Sequence, residues 1–324
     1  MKRKTILSVI SLLLGASLLT ACAGDQTVQF NAYWNYAVEL TPNNETEKLE
    51  YEISFEEGSG FIDDYTVRYG KGSYTTELTT ETVEGVTTYL YKTELSIPVT
   101  YCYDTETVTF TDTTSAWVKF EKASSGLRPT VSHKEISNHT PLNGNVTKID
   151  DCYKEYNYTV DTVYDKGYSG TSTITEIAAN PANNVETPDT FEFDDKYTYL
   201  DNEQLIFALR GINSTLTSSP TFYVYAPFSK AVQKVKATFS SSSTPLLGTF
   251  TADGEEVDKG SISYNEVSLE IQANNSGSPW TLYIAKTTDA QKNKYRNVIL
   301  QFEVPVSYSL GTLTYKLTSA QFIS

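Results

Sequence analysis

The sequence predicts a mainly β protein: a curved antiparallel sheet or half-barrel of hairpin meanders, with one buried helix near 201–211. Three observations predict it. Apolar and polar residues alternate through much of the chain, which turns one strand face to a core and the other to water. Turn residues tolerant of positive φ separate these stretches, so successive strands return antiparallel rather than through parallel crossovers. A single segment, Leu205-Ile206-Phe207-Ala208-Leu209, breaks the alternation; it is apolar almost all round, and a helix of that kind must be covered by sheet.

The first element is not part of the fold. Lys2-Arg3-Lys4 precede fifteen uncharged, mostly apolar residues from Thr5 to Leu19, and Leu19-Thr20-Ala21-Cys22 follows. A basic start, an apolar stretch and small residues before a cut are the parts of an export signal. Fifteen residues fall short of the roughly 20 that span a bilayer as a helix. The tetrapeptide resembles the lipobox of bacterial lipoproteins. That resemblance implies cleavage after residue 21 and a diacylglyceryl group on the Cys22 thiol, of the kind that takes up labelled palmitate. It places the mature chain at the cell membrane, on the extracytoplasmic side, with 22–27 as a short tether and 28–324 as the ectodomain. Two acyl chains anchor durably where one does not. The rival reading is an ordinary cleaved signal in which Cys22 is incidental.

Charge narrows the partners. The chain carries 25 Lys plus Arg against 40 Asp plus Glu, a net of −15, and loss of the three basic residues in the signal takes it to −18. Nucleic acid is excluded, since its binding rests on Lys and Arg neutralising phosphates. The same balance argues against attraction to anionic lipid headgroups, so covalent lipid, not charge, would keep the protein at a membrane.

Along the ectodomain, Leu49, Tyr51, Ile53 and Phe55 alternate with Glu50, Glu52 and Ser54, which predicts a half-buried strand. Gly70-Lys71-Gly72 divides 65–69 from 73–78, Glu84-Gly85 divides 80–83 from 86–91, and Asp165-Lys166-Gly167 opens a loop between 159–164 and 171–177. Asp253-Gly254 marks another tight connection. Val108 and Phe110 alternate with Thr107, Thr109 and Thr111, and Val118 and Phe120 with Trp117, Lys119 and Glu121. Residues 178–190 contain Asn180-Pro181, Asn183-Asn184 and Pro188 and read as a loop, either a sub-domain boundary or a long connection within one sheet.

The helix has its own punctuation. Asp201 is placed to cap 202–210, Gln204 to reciprocate three residues on, and Leu200 with Leu205 to staple across the cap. Gly211 follows Arg210 as a stop.

The run Tyr199 to Arg210, followed by Phe222-Tyr223-Val224-Tyr225, Leu282-Tyr283-Ile284-Ala285, Tyr295-Arg296-Asn297 and Gly311-Thr312-Leu313, resembles exported bacterial β-sheet domains of unknown function. Glu50 to Ser54 resembles their opening strand. Those domains are similar in architecture to lipoprotein-carrier half-barrels, where a bent sheet wraps an apolar helix. The resemblance implies a single curved sheet, with Leu205, Phe207 and Leu209 facing an apolar or lipid ligand.

Catalytic signatures are missing. Cys102 and Cys152 permit a disulfide in an oxidising compartment, worth roughly 4 kcal/mol for a loop of this length, or remain two reduced thiols. His133 and His139 lack the Cys or carboxylate company of a metal set, and no metal or other cofactor is expected. Gly167-Tyr168-Ser169-Gly170 has the wrong spacing for a nucleophile elbow. Asp63-Asp64, Asp150-Asp151 and Asp194-Asp195 read as solvated turns, because adjacent strand residues point to opposite faces. Tyr at 24 positions and Trp34, Trp117 and Trp280 offer flat faces for sugar rings, although tyrosine also suits a sheet surface for packing alone. The sequence therefore predicts a non-catalytic binding or structural protein of the envelope. Its alternative partners are an apolar ligand between helix and sheet, or an envelope glycan. An enzyme with carboxylates on distant loops is the third alternative.

Overall fold

A computed structural model describes residues 46–323 apart from 61, 63–64, 84, 124–125, 143–144, 167, 213–218, 272–278 and 287–296. Cys22, Trp34 and Asp63-Asp64 lie outside the described residues. Eighteen strands form one sheet. The first half supplies β1 (Thr46–Glu57), β2 (Thr66–Tyr69), β3 (Gly72–Val83), β4 (Val86–Tyr103), β5 (Glu106–Ala123) and β6 (Gly126–Pro141). Next come β7 (Tyr153–Tyr164), β8 (Ser169–Glu176), β9 (Val185–Glu192), β10 (Tyr199–Leu200) and the helix α1 (Leu205–Leu209). The last third adds β11 (Thr221–Ala226), β12 (Ala231–Ser241), β13 (Thr249–Ala252) and β14 (Glu255–Asp258). It closes with β15 (Tyr264–Ile271), β16 (Trp280–Ala285), β17 (Ile299–Val306) and β18 (Gly311–Ile323).

Pairing runs β9, β8, β7, β6, β5, β4, β3, β1, β18, β17, β16, β15, β12, β11, β10, antiparallel at every step but the last. The hairpin β13–β14 hangs on β18 through a short parallel pairing. Asp253 and Gly254 turn that hairpin with φ of 48° and 87°, the left-handed pair a two-residue turn requires. Curvature brings the two ends of the strip together. Tyr225 on β11 donates its hydroxyl to Asp189 on β9, and its ring stacks on Phe191 at 4.2 Å and 16°. Side chains, not a backbone ladder, therefore close this seam, and the sheet is a barrel left open along one line.

The helix fills the concave side. Leu205, Phe207 and Ala208 are 0 % exposed, and Phe207 packs on Tyr91 of β4 and Phe120 of β5 with centroids 5.0 and 5.4 Å away. Burying one such ring stabilises by roughly 1.5–3 kcal/mol. Asp201 and Gln204 make the expected reciprocal bonds, but around the turn that leads into the helix: Glu203 N donates to Asp201 Oδ1 at 2.7 Å and Asp201 N to Gln204 Oε1 at 3.4 Å, while the cap position of the regular helix is Gln204 itself. Leu200 and Leu205 are both fully buried in the core, as a staple requires. The helix is shorter than expected, because residues 202–204 form turns and the regular helix covers Leu205–Leu209 alone.

Two expectations about connections need correction. Gly70-Lys71-Gly72 makes no hairpin: β2 and β3 both lie antiparallel to β4, one beyond the other. The glycines serve close approach instead, since a Cβ on Gly72 would sit 2.7 Å from Ser96 O. Residues 185–190 are not loop, for β9 continues the sheet beside β8 despite Pro188. Pro fits there because its neighbour lies on one side only. Residues before and after 178–190 share one hydrophobic core, from Leu49 to Ala320.

Candidate functional site

Among the described residues, the concave side is packed around the helix. Leu205, Phe207 and Leu209 are core residues, and the cavity beside the helix measures about 40 Å³. Ligand pockets run to roughly 300–1,000 Å³. The expectation that these three residues face an apolar ligand is thus corrected: core side chains occupy the space. The small cavity is bordered by Thr114, Lys134, Asn202 and Glu203, and Thr114 Oγ1 and Asn202 Oδ1 have no protein partner. Its size and lining suit an ordered water.

Buried charges tie the helix to the wall. Arg210 Nη1 and Nη2 donate to Glu47 Oε1 and Oε2 on β1 at 2.6 and 2.9 Å, and Nε donates to Asn297 O at 3.1 Å. Asp201 Oδ2 accepts from Ser132 Oγ on β6 at 2.6 Å and from Tyr164 Oη on β7 at 2.7 Å. Burial pushes the Asp201 carboxyl up, with the Glu203 charge adding to it, while those donors pull the other way. Lys134 Nζ meets Glu203 at 2.9 Å. These groups are engaged with each other and hold the helix in place.

The convex face carries a concavity of about 490 Å³ across β3 to β7. Register explains its lining. One row across the strands reads Ser73, Ser96, Thr113, Ser137, Asn157, and the next reads Thr75, Glu94, Ser115, Glu135, Thr159. These are the positions alternate to the core-facing ones, so the period-two pattern that builds the core also builds the groove. A floor of small hydroxyl side chains leaves room above the sheet, and Glu94 and Glu135 stand on it. Strands lie about 4.8 Å apart, so the two carboxylates rise from points about 9–10 Å apart, and the floor is roughly 19 Å long.

A third row forms the rim: Lys92, Trp117, His133, Asp161. Trp117 stacks on His133 at 5.9 Å and 28°. His133 Nδ1 lies 2.7 Å from Asp161 Oδ1, and Nε2 lies 3.2 Å from Glu135 Oε1. Partial burial lowers His133, but hydrogen bonds to Asp161 and Glu135 outweigh it and hold the imidazole above its usual range. A half-buried indole thus borders the groove, clamped by an imidazole that two carboxylates orient.

His133 and His139 both lie on β6, with separate partners. His139 stacks on Phe110 at 3.7 Å, and Asp112 Oδ1 accepts from its N and meets Nδ1 at 3.0 and 2.9 Å. Burial raises Asp112 to about 6 although those His139 contacts oppose it. Among the described residues no cluster of three His, Cys, Asp or Glu could hold a metal. Cys102 and Cys152 are not bonded to each other in this structure. Tyr101 takes the inward register on β4, so Cys102 faces the opposite side, where Thr107 donates to its sulfur at 3.7 Å, whereas Cys152 is 0 % exposed in the core. Asp150-Asp151 lie in a single turn of 3-10 helix, Ile149–Asp151, and Asp194-Asp195 lead into a turn after β9. Among the described residues eleven tyrosines and Trp280 are buried, and Trp117 stands in the row next to the groove. The groove escaped sequence reading because Ser and Thr at outward positions are unremarkable until register aligns them.

No protein-family model and no curated protein matches the chain. Among solved structures, the chain is similar to a β-barrel-like protein of a domain of unknown function, DUF1849, from Brucella abortus. The likeness covers 86 % of this chain and 97 % of that one, at 9 % identity and a TM-score of 0.47.

Proposed function

We propose that the protein is a non-catalytic binding protein of the cell envelope. In this reading a diacylglyceryl group on Cys22 tethers it to the extracytoplasmic side of the cell membrane, and the groove on its convex face takes a hydroxyl-rich envelope glycan. The observation that carries the ligand site is the groove itself: about 490 Å³, with rows of Ser, Thr and Asn side chains on a wide, regular stretch of sheet and Leu95, Ile136, Tyr158 and Ile177 completing its lining. Hydroxyl and amide groups match a polyhydroxylated ligand donor for acceptor, and Trp117 at the rim offers a flat apolar face. Binding is favoured over hydrolysis because a catalytic acid needs a desolvated carboxyl, whereas Glu94 and Glu135 are both exposed.

The tether rests on the sequence at residues 1–22. Two experiments test the proposal. Labelled palmitate should enter the wild-type protein and not Cys22→Ser; an unlabelled wild type would remove the tether. On a glycan array, the detergent-solubilised chain should bind, and Ser115→Trp, which fills the groove from an outward position, should not. Undiminished binding by Ser115→Trp would remove the groove.

A further inference from the structure

The groove's charge selects within that class of ligand, an inference that rests on the glycan-binding reading above. Its lining includes two carboxylates, Glu94 and Glu135, and no Lys or Arg. Both stand in the same row, on β4 and β6, with Ser115 of β5 between them. Glu135 shares one oxygen with His133 and keeps the other free, while Lys92 belongs to the rim row and not to the lining.

We propose that the groove binds a saccharide chain bearing free amines, with Glu94 and Glu135 each receiving one ammonium group. The spacing carries the argument. Carboxylates two strands apart stand about 9–10 Å from one another. In an extended β-1,4-linked chain every second sugar faces the same way, so amines on alternate units repeat at a comparable interval. Such a chain lying across the strands would set one ammonium at each carboxylate. Its remaining hydroxyls would face the floor of Ser73, Ser96, Thr113 and Ser137. Anionic polymers, whether phosphate- or uronate-based, would meet the two carboxylates with like charge and be rejected. A simple polyamine could reach both acids but has no use for the hydroxyl floor, which is why a saccharide is the better occupant.

Calorimetry on the full chain in neutral detergent tests this with three probes: a β-1,4-linked glucosamine hexamer, its fully N-acetylated counterpart, and spermidine. The glucosamine hexamer should bind at least tenfold more tightly than the acetylated one. Each of Glu94→Gln and Glu135→Gln should lose about 2–5-fold, as expected for solvent-accessible ion pairs, and the double variant about tenfold. Rising NaCl should weaken the interaction. Equal binding of both hexamers, unchanged by Glu94→Gln and Glu135→Gln, would overturn the charge selection and leave the glycan groove standing. Spermidine binding as tightly as the glucosamine hexamer would overturn the saccharide assignment. Failure of both hexamers to bind, or undiminished binding by Ser115→Trp, would take the groove reading down as well.

Discussion

Substituting Glu47 by Gln should destabilise the fold far more than the loss of a hydrogen bond, because it strands a buried charge. Glu47 and Arg210 are each 2 % exposed and make a two-pronged contact at 2.6 and 2.9 Å that joins β1 to the end of the helix. Removing one member of a buried pair costs roughly 3–5 kcal/mol, since the remaining ion has neither water nor counter-charge. Asn297 O still accepts from Arg210 Nε at 3.1 Å, which places the expected loss toward the lower end, about 3 kcal/mol. At roughly 1.6 °C per kcal/mol for a chain of about 300 residues, the midpoint should fall by about 5 °C. Scanning calorimetry with urea unfolding would measure it. A double variant, Glu47→Met with Arg210→Met, should recover much of the loss, because replacing a buried pair by apolar side chains of similar volume is often neutral. A Glu47→Gln protein that melts within about 1 °C of wild type would refute the argument, as would a double variant less stable than either single one.

Three further outcomes are expected. Phe207→Ala should cost roughly 3–5 kcal/mol by urea unfolding, since its ring packs between Tyr91 and Phe120 in a core with little room to collapse; a loss under 1 kcal/mol would mean the helix is not the core's keystone. Asp112, held at about 6 against an ordinary 3.8, binds a proton in the folded state that the unfolded chain has already released between those values. Stability should therefore fall as pH rises through that window, by up to about 3 kcal/mol at about 1.4 kcal/mol per pKa unit, and Asp112→Asn should flatten the dependence; identical profiles would contradict it. In alkylation with iodoacetamide, Cys102 should react in the native protein and Cys152 only after unfolding, whereas two blocked thiols released by reductant would mean that they are bonded to each other.

The β architecture and the reciprocal bonds that lead into the helix were legible in the sequence because both are local. Alternation at Leu49, Tyr51 and Ile53 reports one buried face directly, and all three are within 3 % of full burial. Asp201 and Gln204 lie three residues apart and close their box without help from elsewhere. Gly70 to Gly72 misled for the opposite reason: the same glycines serve a turn or a close approach to Ser96, and only the position of β4 decides between them. Likewise, the all-round apolar helix announced that it would be buried, but not whether its cover would leave a cavity. The answer, about 40 Å³, depends on how side chains such as Tyr91, Phe120 and Phe302 interlock.

By itself, the sequence determined the β class, the buried helix with the reciprocal bonds that lead into it, and an acidic balance of −15. Those properties follow from local periodicity and from composition, which survive any choice of strand pairing. Tertiary structure alone decided the near-closure of the sheet through Tyr225 and Asp189, the apposition of Glu47 with Arg210 across 163 residues, and the groove that sets Glu94 beside Ser115 and Glu135. Each depends on register between strands, and a slip of one residue would turn Glu94 and Glu135 into the core and Leu95 and Ile136 out to water.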